Sequence, residues 1–444
     1  MRTLVGNGKQ ALTLVARALR DGGTRAVLVP RYHCGTMVLP FALEGMRVSP
    51  VDVGTDLLAD PRALREALAR EPGAAVLHCE TYGNRGGRNL AAVLAAARRN
   101  GSALVLDATH SLIDRLIRTV GAAGSPAPTA SGPDRRPGTG RDGPWDAVVA
   151  SMRKLLPVPD GARLCWSEDS ALATGLERVV GDLHERGPID ETATALGVEL
   201  HTALRAMSAA RGTRRERLRL RVCEIAAHHE DAIEAATAPV PASATAAGML
   251  EALDPEEIKR RALTAHRLRE SREEGARACG LRVANPGSAG CVALRDARGL
   301  EGGPGRRAVR VLDGLEEALA HAGLWGPVSW PDPGVGGGRP WPRVVTVPTD
   351  APKRTDELVE LLREALGAAR DRAGLGGRLA TVVVCPLLSS PSSPPPTCSC
   401  PARRRRHGRA GAVPRSSSSC GGTPATWTGV GPARSPGTSR SVSR

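Results

Sequence analysis

Ala147-Val148-Val149-Ala150-Ser151-Met152-Arg153-Lys154-Leu155-Leu156-Pro157 is the stretch on which the reading of this chain turns. Its first four residues are small or β-branched and apolar, a short run that fits a buried strand. A lysine follows the strand end. Only four lysines occur in the 444 residues, against 57 arginines. Arginine keeps its proton in proteins, so a position that must offer a neutral amine to a carbonyl needs lysine however strongly composition favours arginine. Lys154 is therefore a candidate Schiff-base lysine; an exposed lysine on a helix or loop is the alternative.

Outward from this stretch, similar runs recur at Ala26 to Pro30, Val48 to Val53, Ala74 to Cys79, Ala103 to Leu106 and Arg163 to Trp166. Helical spacing of apolar residues fills the intervals, at Lys9 to Arg20, Thr36 to Leu43, Pro61 to Arg70 and Leu90 to Asn100. Continuously apolar strands separated by helices predict an α/β fold of three layers, with a mostly parallel sheet covered on both faces. Chemistry in such folds gathers at the carboxyl ends of the strands. Gly121 to Pro144 lacks apolar periodicity and reads as a mobile loop. Three helical patterns follow, at Glu177 to His184, Thr192 to Met207 and Arg215 to Ala236. Pro239 to Ala247 then reads as a domain joint. The expected organisation is a large domain over 1–238, a smaller α+β domain over 248–370 and a disordered tail over 378–444.

Hydrophobic residues at 41% suffice for a core, but with aromatics at 2% Leu, Val and Ala must fill it. No apolar run has the length of a membrane span, and no signal-peptide pattern opens the chain, so a cytoplasmic protein is expected. The cysteines are scattered without a CxxC pair, which favours isolated core thiols over a metal site. Ten arginines and no acidic residue lie between Arg378 and Arg444, so most of the net charge of +15 belongs to the tail. That tail offers at most weak, salt-sensitive nucleic-acid binding, or has no role.

Four segments after strands or turns line up: Gly6-Asn7-Gly8-Lys9-Gln10-Ala11-Leu12, Asp107-Ala108-Thr109-His110-Ser111, Ser151 to Lys154, and Pro159-Asp160-Gly161. Asp107 ends an apolar run, and the plain alternative for it is a cap on a helix starting at Ala108. Gly8, Lys9 and Gln10 open a helix as an anion site requires; simple turn chemistry is the alternative for the glycines. Together, in this order and spacing over roughly residues 6 to 369, the segments resemble the DegT/DnrJ/EryC1/StrS aminotransferases, within the fold type I pyridoxal-phosphate-dependent transferases.

The resemblance implies a cofactor, pyridoxal 5'-phosphate, and an internal aldimine at Lys154, whose amine later moves the substrate proton. Partial burial is expected to lower the pKa of that lysine. Asp107 would face the pyridinium nitrogen and His110 the phenolic oxygen, while Ser151, Gly8, Lys9 and Gln10 hold the phosphate. An ordinary partly buried histidine is the alternative for His110. Two departures stand out. Cys34 occupies the place of the family's stacking ring, so that either Tyr32 or His33 replaces it or stacking is lost, and Gly161-Ala162 stands where paired glycines are expected. The chain also begins close to its phosphate motif, where the family has an arm that contacts a partner subunit. The implied function is transfer of an amino group from an amino-acid donor to a keto acceptor, for which a nucleotide-linked keto sugar is one class, by a homodimer. The alternative is a catalytically degenerate relative with a binding or regulatory role.

Overall fold

The computed structural model describes residues 1–123, 145–298, 305–324, 329–330, 341–350 and 355–372. The expected tail over 378–444 lies outside them, as does most of the expected loop over 121–144.

A seven-stranded sheet holds β1 (Arg2–Val5), β2 (Ala26–Pro30), β3 (Arg47–Val51), β4 (Ala75–Cys79), β5 (Leu104–Asp107), β6 (Ala147–Ser151) and β7 (Ala162–Trp166). Their order is β1-β7-β6-β5-β4-β2-β3. The run from β3 to β6 is parallel, and β7 alone is reversed, antiparallel to both β6 and β1. The reversal has a local cause: the segment Met152–Gly161 that joins β6 to β7 is shorter than the dozen or so residues of a parallel crossover.

Helices cover both faces, as the apolar strands require. The first six are α1 (Gly8–Asp21), α2 (Gly35–Leu43), α3 (Pro61–Arg70), α4 (Arg88–Arg99), α5 (Leu112–Ala123) and α6 (Ala173–His184). Alternate residues of each strand point to opposite layers. Val27, Val29, Leu77 and Val105 pack with Leu12 and Val15 of α1 and Leu176 of α6. Leu28, Val76 and Leu104 pack instead with Leu64 of α3 and Leu90 and Leu94 of α4.

Beyond β7 the chain forms α7 (Glu191–Ala209), α8 (Gly212–Ala235), α9 (Ala244–Glu251) and α10 (Pro255–Ala278). A second, antiparallel sheet comes next, of β8 (Leu281–Val283), β9 (Cys291–Asp296) and β10 (Val344–Pro348) in the order β10-β9-β8. It packs with α10, α11 (Arg306–His321) and α12 (Thr355–Arg372) around Leu268, Leu294, Val311, Leu315, Val347 and Leu362. Among the described residues no helix is long and apolar enough to cross a membrane.

Two local expectations change. The segment after His110 is helical and α5 runs through Ala123, so the expected loop cannot begin at Gly121; the stripe Leu112, Ile113, Leu116 and Ile117 buries this helix against Leu106 and Leu155. The stretch read as a domain joint does not hang free either. Pro241 bridges Val5, the Gly6 amide donates to the Val240 carbonyl at 2.8 Å, and α9 starts within the stretch at Ala244.

Candidate active site

The parallel register brings three strand ends to one edge: Cys79 lies opposite Asp107, and Asp107 opposite Val149, two residues before Ser151. The residues at and just beyond these ends build the site. Asp107 is 6% exposed, and its Oδ1 accepts the Thr109 amide at 2.9 Å. The Thr109 hydroxyl accepts the Ser151 amide at 3.0 Å, which ties the acid to the segment carrying Lys154. Helix α5 begins only at Leu112, so Asp107 is not its cap. Burial raises the pKa of Asp107, opposed by the hydrogen bonds of Thr109 and the charge of Lys154. A positive group against the carboxyl would tip the balance toward the anion.

His110 is buried, and its Nδ1 accepts the Tyr82 amide at 3.0 Å. Its ring lies nearly parallel to those of Tyr82 and Trp330, with centroids 5.3 and 5.5 Å away. Burial and then the charge of Lys154 push the imidazole down to about 3. An unfolded histidine titrates near 6.5, so between about 3 and 6.5 the unfolded chain binds a proton that the folded ring refuses. This ring's contribution to stability is therefore full above that window and is lost as pH falls through it. The stability advantage of wild type over His110→Gln should shrink from pH 7 to pH 4 in urea titrations; an advantage independent of pH removes the assignment.

Lys154 is exposed, in the turn after β6, and not half-buried as expected. The turn Met152–Leu156, closed by the Leu155 and Leu156 amides on the Met152 carbonyl, lifts it off the strand end. The next residue back anchors the turn: Arg153 pairs with Glu230 of α8 at 2.6 Å. Lys154 is close enough for its charge to act on both Asp107 and His110.

At the amino end of α1, Asn7 caps the helix by accepting the Gln10 amide at 2.9 Å. The Gly8 and Lys9 amides make no hydrogen bond among those of the described residues. The side chains of Lys9 and Gln10 turn away, to the carbonyls of Glu234 and Ala236 at the end of α8. A Cβ on Gly8 would lie 3.1 Å from Cβ of Ser151, so the helix start and that serine close on one point. Two free amides, a helix dipole and a hydroxyl make a donor set suited to a phosphate. Together with a buried acid, a buried imidazole and an exposed amine, these residues fit pyridoxal phosphate.

Gly161 joins the two halves of this cradle. Its amide donates to the Gly6 carbonyl at 2.7 Å, and its carbonyl accepts the Met152 amide at 2.9 Å. It has φ +99°, outside the regions open to side chains. Gly161→Ala should cost about 1–3 kcal/mol of stability, read as a lower denaturation midpoint. An unchanged midpoint shows that the turn has another way to form.

The residues expected to stack on a cofactor ring have other partners. Tyr32 is fully buried, its hydroxyl 2.8 Å from that of Tyr82 and its ring 4.9 and 5.2 Å from Trp330 and Trp341. His33 holds Nδ1 against the Pro30 carbonyl at 2.8 Å, and Cys34 lies 3.0 Å from the Thr36 hydroxyl. Sequence reasoning passed over Thr109, Tyr82, Trp330 and the pair of buried Glu80 with half-buried Arg115. Glu80 and Tyr82 follow β4 as Thr109 and His110 follow β5, so strand-end position was a usable signal for them. Nothing in the sequence signals Trp330, which comes from between α11 and β10.

A mostly parallel sheet with an acid at the end of one strand and a lysine just beyond its neighbour is the architecture expected of the fold type I transferases. Residues 3–127 match the model of the DegT/DnrJ/EryC1/StrS aminotransferase family, the family that the resemblance read from sequence names. Among solved structures, the chain is similar to 3-amino-5-hydroxybenzoic acid synthase, with a TM-score of 0.51 and 15% identity over 84% of this chain and 86% of that one. It is also similar to a structure from Streptococcus pneumoniae, named as a candidate sugar aminotransferase in its PMP form, with a TM-score of 0.50 and 14% identity over 83% and 88% of the two chains. At these identities the likeness is one of fold. No curated protein matches the chain.

Proposed function

We propose that the chain is a pyridoxal-phosphate-dependent aminotransferase in which Lys154 supplies the reactive amine. The observation that carries this reading is that Lys154 follows the end of β6, beside the end of β5 where Asp107 lies and which His110 follows. The bound group would supply an electron sink for bond breaking at the substrate's α-carbon. The Gly8 and Lys9 amides and Ser151 would hold its phosphate, Asp107 its ring nitrogen and His110 its ring oxygen. Lys154 would hold that group through its amine, and the same Nζ would serve as the base that moves a proton at the α-carbon of the amino-acid donor. With a keto acceptor in the site, the same residues would serve the reverse transfer. A ketone on a nucleotide-linked sugar is the acceptor class we assign, following the family resemblance and the name borne by the Streptococcus pneumoniae structure.

The assembly we propose is a homodimer. Helix α2 carries no charged residue, yet Leu39 and Leu43 are 43% and 68% exposed on it, and a second copy would cover them.

The test is an absorption spectrum of the protein with pyridoxal phosphate before and after glutamate. Conversion to the amine form of the cofactor establishes half of the reaction. A bound cofactor that no amino acid converts favours a second reading, a degenerate binding protein, which the cysteine at position 34 supports. No uptake at all removes both.

A further inference from the structure

We propose that Tyr82 is a positioning residue of this site: its backbone amide occupies Nδ1 of His110, fixes the ring as the Nε2–H tautomer and so presents one N–H donor to an anionic ligand oxygen. The identity of that ligand rests on the function proposed above; the tautomer does not.

A peptide N–H can only donate, so the Tyr82 amide, 3.0 Å from Nδ1, requires a lone pair there. A neutral imidazole has one donor and one acceptor, which puts the proton on Nε2. Among the described residues Nε2 makes no hydrogen bond, and it is not among the polar atoms sealed from solvent without a partner. It is the one polar atom of this ring left open. Protonating the ring would oppose two donors at Nδ1, and burial acts in the same direction.

The device is strained, which argues that it is held in place. Tyr82 sits at φ 52°, ψ 23°, in the left-handed region, at a cost of about 1–2 kcal/mol for a residue with a side chain. Three contacts offset that cost. The Tyr82 carbonyl accepts Asn285 Nδ2 at 2.8 Å, its hydroxyl meets that of Tyr32 at 2.8 Å, and its ring stacks on His110 and on Trp330. An extended residue here would turn the amide away from His110. Strain that surrounding contacts over-determine is characteristic of functional positions.

The experiment uses the full chain without cofactor, labelled with 15N-histidine, and reads the imidazole nitrogens by long-range 1H–15N correlation. The His110 signals are assigned by their loss in His110→Gln. Wild type should show a pyridine-type Nδ1 and a pyrrole-type Nε2. Tyr82→Gly keeps the amide and favours the left-handed region, so the pattern should persist without the ring. Tyr82→Val disfavours that region, and the single tautomer should be lost, both nitrogens moving toward an averaged position. A proton on Nδ1 in wild type, or an unaltered pattern in a folded Tyr82→Val, overturns the proposal. If Tyr82→Val does not fold, the other two spectra decide: one Nε2–H tautomer in both supports it, and any other result overturns it. A chain that never takes up pyridoxal phosphate sinks the functional reading and leaves this result standing.

Discussion

Lys154→Ala is expected to lower the rate of amino-group transfer by about 10³-fold or more, and to abolish the absorption change that glutamate produces in the cofactor-loaded protein. In the function proposed here the loss combines two roles of one atom, since Nζ would both hold the cofactor and serve as the base at the α-carbon. Lys154→Arg is the sharper control. It keeps the positive charge that acts on Asp107 and His110, but a guanidinium has no neutral nitrogen to offer. It should be as inactive as alanine while leaving the denaturation midpoint close to wild type, because Lys154 is exposed. Steady-state transfer from glutamate with either variant above about a tenth of wild type would falsify the assignment of position 154.

Arg115→Ala should destabilise the folded chain by about 3–5 kcal/mol, the largest effect expected of a residue outside the proposed chemistry. Arg115 holds both oxygens of Glu80 from one nitrogen at 3.0 Å, and the Ser111 hydroxyl donates to the same carboxylate. Glu80 is 5% exposed, so without the guanidinium a buried charge is left on one hydroxyl. Adding Glu80→Gln should recover much of the loss, because the uncompensated charge disappears with it. Chemical denaturation of the two single variants and the double variant reads this directly. If Arg115→Ala costs under about 1 kcal/mol, the pair is not what fastens the turn after β4 to α5.

Much of the fold was legible because burying a strand on both faces demands an unbroken apolar run, and such runs can be seen without knowing their partners. The position rule that active residues follow strands pointed to Asp107, Ser151 and Lys154, and the structure sets these at adjoining strand ends. The same rule applied to β4 would have found Glu80 and Tyr82. Reading failed where a residue's state depends on distant neighbours. A tyrosine two residues after a strand looked available for stacking, yet Tyr32 is filled in by Trp330 and Trp341. The carbonyls that draw the Lys9 and Gln10 side chains away lie at the end of α8. Lys154 looked half-buried from its strand and is raised by its turn.

The succession of strands and helices along the chain, the scarcity that singles out a lysine and the acid at the end of β5 follow from residue types alone. All are properties of residue type and local spacing, to which hydrophobic burial responds directly. The reversal of β7, the state of His110 and the left-handed turn at Tyr82 arise from packing. A tautomer is set by the one donor that reaches a nitrogen, and a strained backbone by contacts from Asn285, Tyr32 and Trp330. Such contacts join residues far apart in sequence and come into being only when the chain has packed.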